Sequence, residues 1–181
     1  MEGGVHFPDT RFVNGVELKR NGQGIRSLSL LGIHYKLYVA GFYSRLPLKT
    51  EEEVLEKRGN DCPLQFEFTF LREFGKKQVR KAWEMQTSHS ISYRYEGYDS
   101  DIARFIDLLT YPISSGGTIT VQIIEDRTVL IFEGDEKGTI LSSDFQKAFL
   151  SMWFGENAVT EELKTGFLNG ALHHIEQMVV S

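Results

Sequence analysis

Hydrophobic periodicity along this chain switches between two and about 3.6, and the order of those switches limits the folds open to it. Ile25-Arg26-Ser27-Leu28-Ser29-Leu30 alternates, which predicts a strand with one buried face. Tyr35 to Tyr43 reads as a long aromatic-rich strand, with Gly41 marking a bend or a close backbone approach. Leu64, Phe66, Phe68 and Phe70 share one face of a further strand. From Gly75 the spacing becomes helical. Val79, Ala82, Trp83 and Gln86 fall on one side, and Ile102, Phe105, Ile106 and Leu109 follow the i, i+3, i+4, i+7 rule. Two strands, 118–124 and 128–132, a short strand at 139–141 and two last helices complete the order. An antiparallel sheet with helices gathered on one face, an α+β layer arrangement, satisfies that order.

Local signals place the boundaries. Asn14-Gly15 and Asn21-Gly22 both read as tight turns, because this pair tolerates positive φ. Thr50-Glu51-Glu52-Glu53 and Ser143-Asp144-Phe145-Gln146 read as capping boxes, and Gly59-Asn60 ends the short helix that the first of them opens. Tyr111-Pro112 closes the helix that starts at Tyr98. Gly155 stops a helix that buries Phe145, Phe149, Met152 and Trp153, and Thr160 caps the last one, along which Leu163, Phe167, Gly170 and His174 share a side.

Composition narrows function mainly by exclusion. The 13 phenylalanines, 7 tyrosines and 2 tryptophans suffice for a large core and for an aromatic-lined cavity. Formal net charge is −5 and the 20 basic residues are scattered, so neither nucleic acid nor an anionic membrane is an expected partner. The single cysteine, Cys62, precludes an intrachain disulfide and a cysteine-rich zinc site. No apolar run approaches the roughly 20 residues that span a bilayer. Neither a phosphate-binding glycine loop nor a Gly-x-Ser-x-Gly elbow is present. No signal segment is visible at the N-terminus.

Several segments, taken in order, resemble the chalcone isomerase-like family. They are Asn21-Gly22-Gln23-Gly24-Ile25-Arg26, Tyr35 to Tyr43, Phe70-Leu71-Arg72, Ala82-Trp83, Gly138 to Phe145, Met152-Trp153-Phe154-Gly155 and Leu163 to Gly170. The strand end at Phe70 and the Ala-Trp pair resemble its bacterial branch. The resemblance implies one domain over residues 1–181, an open-faced β-sandwich with a large antiparallel sheet, helices on one face and a few short strands on the other. It places a ligand cleft between the sheet and the helices. Plant members close chalcones to flavanones, and other relatives bind fatty acids without known turnover. Bacterial members commonly begin with a secretory signal, so the expected location is periplasmic or exported if such a segment has been removed, and cytoplasmic otherwise.

Arg26 falls on the arginine shared by enzymes and fatty-acid binders in that resemblance. A strand arginine facing a cleft can grip a carboxylate or an enolate, whereas one on the sheet surface would pair with a glutamate. Tyr38 stands where the plant isomerases carry threonine, and serves either as a donor or as a core tyrosine. Tyr35, Tyr43 and Trp83 are further candidates for ligand contact, and Trp83, Phe105, Phe149 and Trp153 could line an apolar pocket or simply fill the core. The helix tyrosine and asparagine of the isomerases have no counterpart in Trp83 to Ser90, which argues against chalcone turnover. His34 and His89 are expected near the cleft entrance, where a histidine could meet haem iron or a metal. His173-His174 are adjacent and so do not share a helix face. No cofactor is specified. The leading expectation is a binder of a small hydrophobic or amphiphilic carboxylate, such as a fatty acid. An isomerase or lyase stabilising an enolate, a haem or porphyrin binder, and a structural interaction protein are the alternatives. A cleft open at one end and apolar inside favours binding, and a compact polar pocket favours chemistry.

Overall fold

The structure, a computed structural model, describes residues 4–59 and 61–180, without the side chains of Leu30 and of residues 171–180. Asn60 and the side chains of His173 and His174 therefore lie outside the described residues. The strands are β1 (Thr10–Val13), β2 (Val16–Leu30), β3 (Ile33–Ser44), β4 (Leu64–Phe70), β5 (Thr118–Ile124), β6 (Arg127–Phe132) and β7 (Asp135–Leu141). The helices are α1 (Glu51–Lys57), α2 (Lys76–Ser90), α3 (Tyr98–Leu108), α4 (Ser143–Phe154) and α5 (Glu161–Val180). The seven strands form one antiparallel sheet in chain order, and the helices pack on one face, giving the α+β architecture of an open-faced half-barrel.

Alternation along the strands divides the apolar residues between two cores. Tyr38, Ala40 and Phe42 of β3 point to the helices with Phe66 and Phe68 of β4, and meet Phe149, Trp153 and Phe154 of α4. Val39 and Tyr43 point the other way, to a smaller cluster with Phe7, Val13 and Leu18. Among the described residues the N-terminal stretch, rather than a layer of short strands, covers this second face. Phe7 lies where a Cβ on Gly41 would sit, 3.1 Å from its ring, which is the close approach that Gly41 signalled.

Asn21-Gly22 is not a turn. It lies inside the 15-residue β2, at a register shift between Arg20 and Gly22. The buried Asn21 amide donates to the carbonyls of Leu48 and Phe167, at 2.9 and 2.7 Å, and its oxygen accepts from the Leu48 N–H at 2.8 Å. Gly22 makes room for α5, since a Cβ there would stand 2.2 Å from the Gly166 carbonyl oxygen. Helix α5 thereby rests backbone-to-backbone on β2, through Gly22, Gly166 and Gly170.

Two caps differ from the sequence reading. The Thr50 hydroxyl accepts from the Glu53 N–H at 3.1 Å, but the Glu53 carboxylate reaches the N–H of Lys49. Helix α4 is capped by Ser142, whose hydroxyl accepts from the Phe145 N–H at 3.0 Å. Gln146 is thereby free to donate to the Glu125 and Arg127 carbonyls, which ties α4 to the β5–β6 turn. Strand β7 begins at Asp135 directly after a tight Glu133-Gly134 turn, so it is longer than the 139–141 expected. Thr160 caps α5 and Gly155 ends α4, both as read from sequence.

Candidate functional site

The cavity is built where the alternation of β2 and β3 is rephased. Arg26 pairs with Tyr38 across the two strands, and Tyr38 pairs with Phe70 of β4, so one row of side chains crosses the sheet on the helix side. Between Arg26 and Ser27 the register shifts, and Ser27 pairs with Lys36. Leu37 is the extra residue of this bulge, and such an insertion re-aims the side chains beyond it. Leu28 and Tyr35, the next inward pair, thus follow Arg26 and Tyr38 on the same face.

Helix α2 forms the opposite wall. Val79, Ala82, Trp83, Gln86 and Ser90 recur at three- and four-residue spacing and line the cavity together. Trp83 is fixed edge-on to Phe105 of the core, with ring centroids 5.0 Å apart. Trp153 of α4 and Val159 close the far side, and Phe68, Phe70 and Phe74 complete the apolar lining. The enclosed volume is about 380 Å³. That is the small end of the roughly 300–1,000 Å³ of ligand pockets. Leu28, Ala82, Met85 and His89 are exposed and form its mouth.

The polar atoms in this apolar space are conspicuously unspent. The Tyr38 hydroxyl, Gln86 Nε2, Ser90 Oγ and Trp153 Nε1 are buried without a hydrogen-bond partner among the described residues. Arg26 donates one bond, from its NH1 to the Val159 carbonyl at 3.3 Å, and meets no carboxylate at salt-bridge distance among the described residues. Burial raises the Tyr38 phenol far above its ordinary pKa, against the opposing pull of the Arg26 charge, so Tyr38 remains a donor at neutral pH. Unpaired buried donors cost roughly 1–3 kcal/mol each, and an acceptor that entered here would recover that cost.

Of the five residues that sequence singled out for ligand contact, Arg26, Tyr38 and Trp83 line the cavity together. Tyr35 does not. It lies under the Arg72 guanidinium, 4.6 Å from ring centroid to carbon, and lines a shallower groove outside the cavity. Tyr43 is on the opposite face of the sheet, an odd number of residues from Tyr38 along unbroken alternation, and its hydroxyl donates to the Pro8 carbonyl at 2.7 Å. Phe105 and Phe149 are core residues, while Trp153 reaches the cavity wall. His89 stands exposed at the mouth, and His34 is on the exposed hairpin, 2.7 Å from the Ser29 hydroxyl. No cluster of metal-ligating side chains occurs among the described residues. Sequence reasoning missed Ser90 and the polar part of Gln86, although both continue the Val79–Trp83 stripe and are polar residues on an otherwise apolar helix face.

Residues 2–169 match the family model described as chalcone isomerase-like. No curated protein matches by sequence. Among solved structures, the crystal structure of a fatty-acid binding protein from Arabidopsis thaliana is similar, with a TM-score of 0.74 and 19% identity over 93% of this chain and 94% of that chain. At that identity the likeness is one of fold. These findings correct the expected bacterial branch, because the solved relative is a plant protein. The segments that suggested that branch do structural work: Phe70 packs on Tyr38 at 5.3 Å between centroids, and the Leu71 N–H donates to the Leu37 carbonyl.

Proposed function

This chain belongs to the chalcone isomerase-like family, and from that premise we propose that it binds an amphiphilic carboxylate, a fatty acid being the simplest, in the cavity between sheet and helices. The observation that carries this reading is the set of unpartnered donors, the Tyr38 hydroxyl, Gln86 Nε2, Ser90 Oγ and Trp153 Nε1, beside an Arg26 that meets no carboxylate among the described residues, all within one apolar cavity. A carboxylate would accept from Arg26 and Tyr38, and the hydrocarbon chain would lie along Phe68, Phe70, Phe74 and Trp83. The apolar walls and the mouth at Leu28, Met85 and His89 suit retention of a chain better than ring closure of a compact substrate. The solved relative of like fold is itself described as a fatty-acid binding protein.

The test uses the protein's own reporters, since both of its tryptophans, Trp83 and Trp153, line the cavity. Tryptophan fluorescence titrated with a saturated long-chain fatty acid should change and saturate. Arg26→Met keeps most of the aliphatic stem and removes the charge, and should weaken binding roughly 10- to 100-fold, as expected for a charge-assisted hydrogen bond. A fatty alcohol of equal length should bind weakly and be indifferent to that substitution. Equal affinity of Arg26→Met and the unsubstituted protein for the acid would overturn the reading.

A further inference from the structure

The outer end of the β2–β3 hairpin extends the cavity floor into solvent. The alternation of residues 25–30 predicted a buried face, yet Leu28 on that face is 45% exposed and Ile33 beyond it is 55% exposed. Leu31 at the turn is 95% exposed and holds φ at +52°, followed by Gly32 at +78°. The same two-residue turn is made elsewhere by Asn14-Gly15 and Glu133-Gly134, with polar first residues. A leucine at this φ is strained, and it gains no packing in return. Across the mouth, Met85 of α2 is 63% exposed. The reverse face of the hairpin carries Ser27, Ser29, His34 and Lys36, so this end is amphipathic.

Charge says what this apolar end faces. From Leu18 to Thr50 the chain contains no Asp or Glu, while Lys19, Arg20, Arg26, Lys36, Arg45 and Lys49 fall in that stretch, in a protein of net charge −5. Lys19 and Arg20 pair with Ser44 and Tyr43 at the far end of the hairpin, and Arg45 and Lys49 follow it, so the outer end itself carries Arg26 and Lys36 with no hairpin carboxylate beside them. Around the cavity and the outer groove, Arg26 and Arg72 face a single carboxylate, Glu73, among the described residues. We propose that the β2–β3 hairpin end docks on an anionic lipid bilayer, with Leu31 and Ile33 entering the acyl boundary and Lys36 and Arg72 meeting headgroups. Exposed apolar side chains flanked by cations are the elements of reversible interfacial binding. The docking stands without the ligand assignment. Only its consequence, that the mouth opens toward the source of an acyl ligand, rests on the reading above.

Flotation with vesicles of equal parts phosphatidylglycerol and phosphatidylcholine, against phosphatidylcholine alone, tests the proposal. The full chain should float with the anionic vesicles and not with the neutral ones. Leu31→Asn places at +52° a residue that suits positive φ, so the variant folds at least as well, and vesicle binding should fall about tenfold. Lys36→Glu should act in the same direction. Fatty-acid titration of Leu31→Asn without vesicles should match the unsubstituted protein, because Leu31 does not line the cavity. Failure of that titration in every protein sinks the ligand reading alone. Absence of flotation, flotation indifferent to charge or to Leu31→Asn, or a concentration-dependent dimer that Leu31→Asn disperses would overturn the docking, the last assigning the surface to a second copy of the chain.

Discussion

At Tyr38 two demands on one residue pull apart. Its ring is held between Phe68 and Phe70, at 5.6 and 5.3 Å between centroids, so the aromatic body belongs to the core. Its hydroxyl is buried without a protein partner among the described residues, a desolvation cost with no structural return. Tyr38→Phe therefore removes the cost and keeps the packing. The free protein should gain about 1 kcal/mol in denaturant unfolding, while fatty-acid affinity falls about 5- to 10-fold in the fluorescence titration, the usual worth of one hydrogen bond. A variant that lost stability would show that the hydroxyl is satisfied in solution and does not wait for a ligand. The same reasoning separates Tyr38 from Tyr43, whose hydroxyl already holds the Pro8 carbonyl and has nothing to offer a ligand.

Among the elements, the crossing of α5 over β2 is the joint on which the helical layer rests. A Cβ at Gly22 would meet the Gly166 carbonyl oxygen at 2.2 Å, and one at Gly170 would meet the Asn21 carbonyl oxygen at 2.4 Å. Both obstacles are backbone, so neither can swing aside. Gly22→Ala should cost about 3 kcal/mol or more in urea unfolding and lift α5 from the sheet, whereas Gly15→Ala, where a Cβ meets nothing, should cost only the strain of its positive φ. This joint also shows where sequence reading stops. Periodicity, with the Thr50 cap for α1, located the helices and most of the strands, because alternation and the 3.6 repeat are local consequences of burial, but it read β2 as two pieces and β7 as too short. Asn21-Gly22 carries the residues of a turn, and only the partner helix, well over a hundred positions away, reveals that the glycine makes room and the amide ties Leu48 to Phe167. Within the site, Arg26, Tyr38 and Trp83 were legible. Tyr35 was misjudged because, although the bulge at Leu37 keeps it on the face of Tyr38, it lies one pair further out against Arg72 and beyond the cavity, and Tyr43 could have been set aside by counting parity from Tyr38.

For the molecule as a whole, one sheet with apolar side chains on both faces buries tyrosines on both. Tyr38 lies under the helices and Tyr43 under residues 5–9, and each phenol is raised by burial, that of Tyr43 to about 12 with Glu67 adding to the rise. The folded state thus holds these protons more tightly than the unfolded chain, where tyrosine titrates near 10. Below about pH 10 both states are protonated and the full stability is present. As pH climbs beyond it, the unfolded chain ionises first and stability falls, by up to about 1.4 kcal/mol per pH unit for each such tyrosine, until the folded groups titrate as well. Denaturant unfolding compared at about pH 8 and about pH 11 should show this loss, and Tyr38→Phe and Tyr43→Phe should each reduce the difference between the two conditions. The difference is the informative quantity, because Tyr43→Phe also forfeits the bond to Pro8 and starts from a lower stability at both. An alkaline loss that neither variant changes would assign it to other groups, such as Tyr95 and Tyr98, whose phenols burial also raises, and leave both phenols titrating as they do in the unfolded chain.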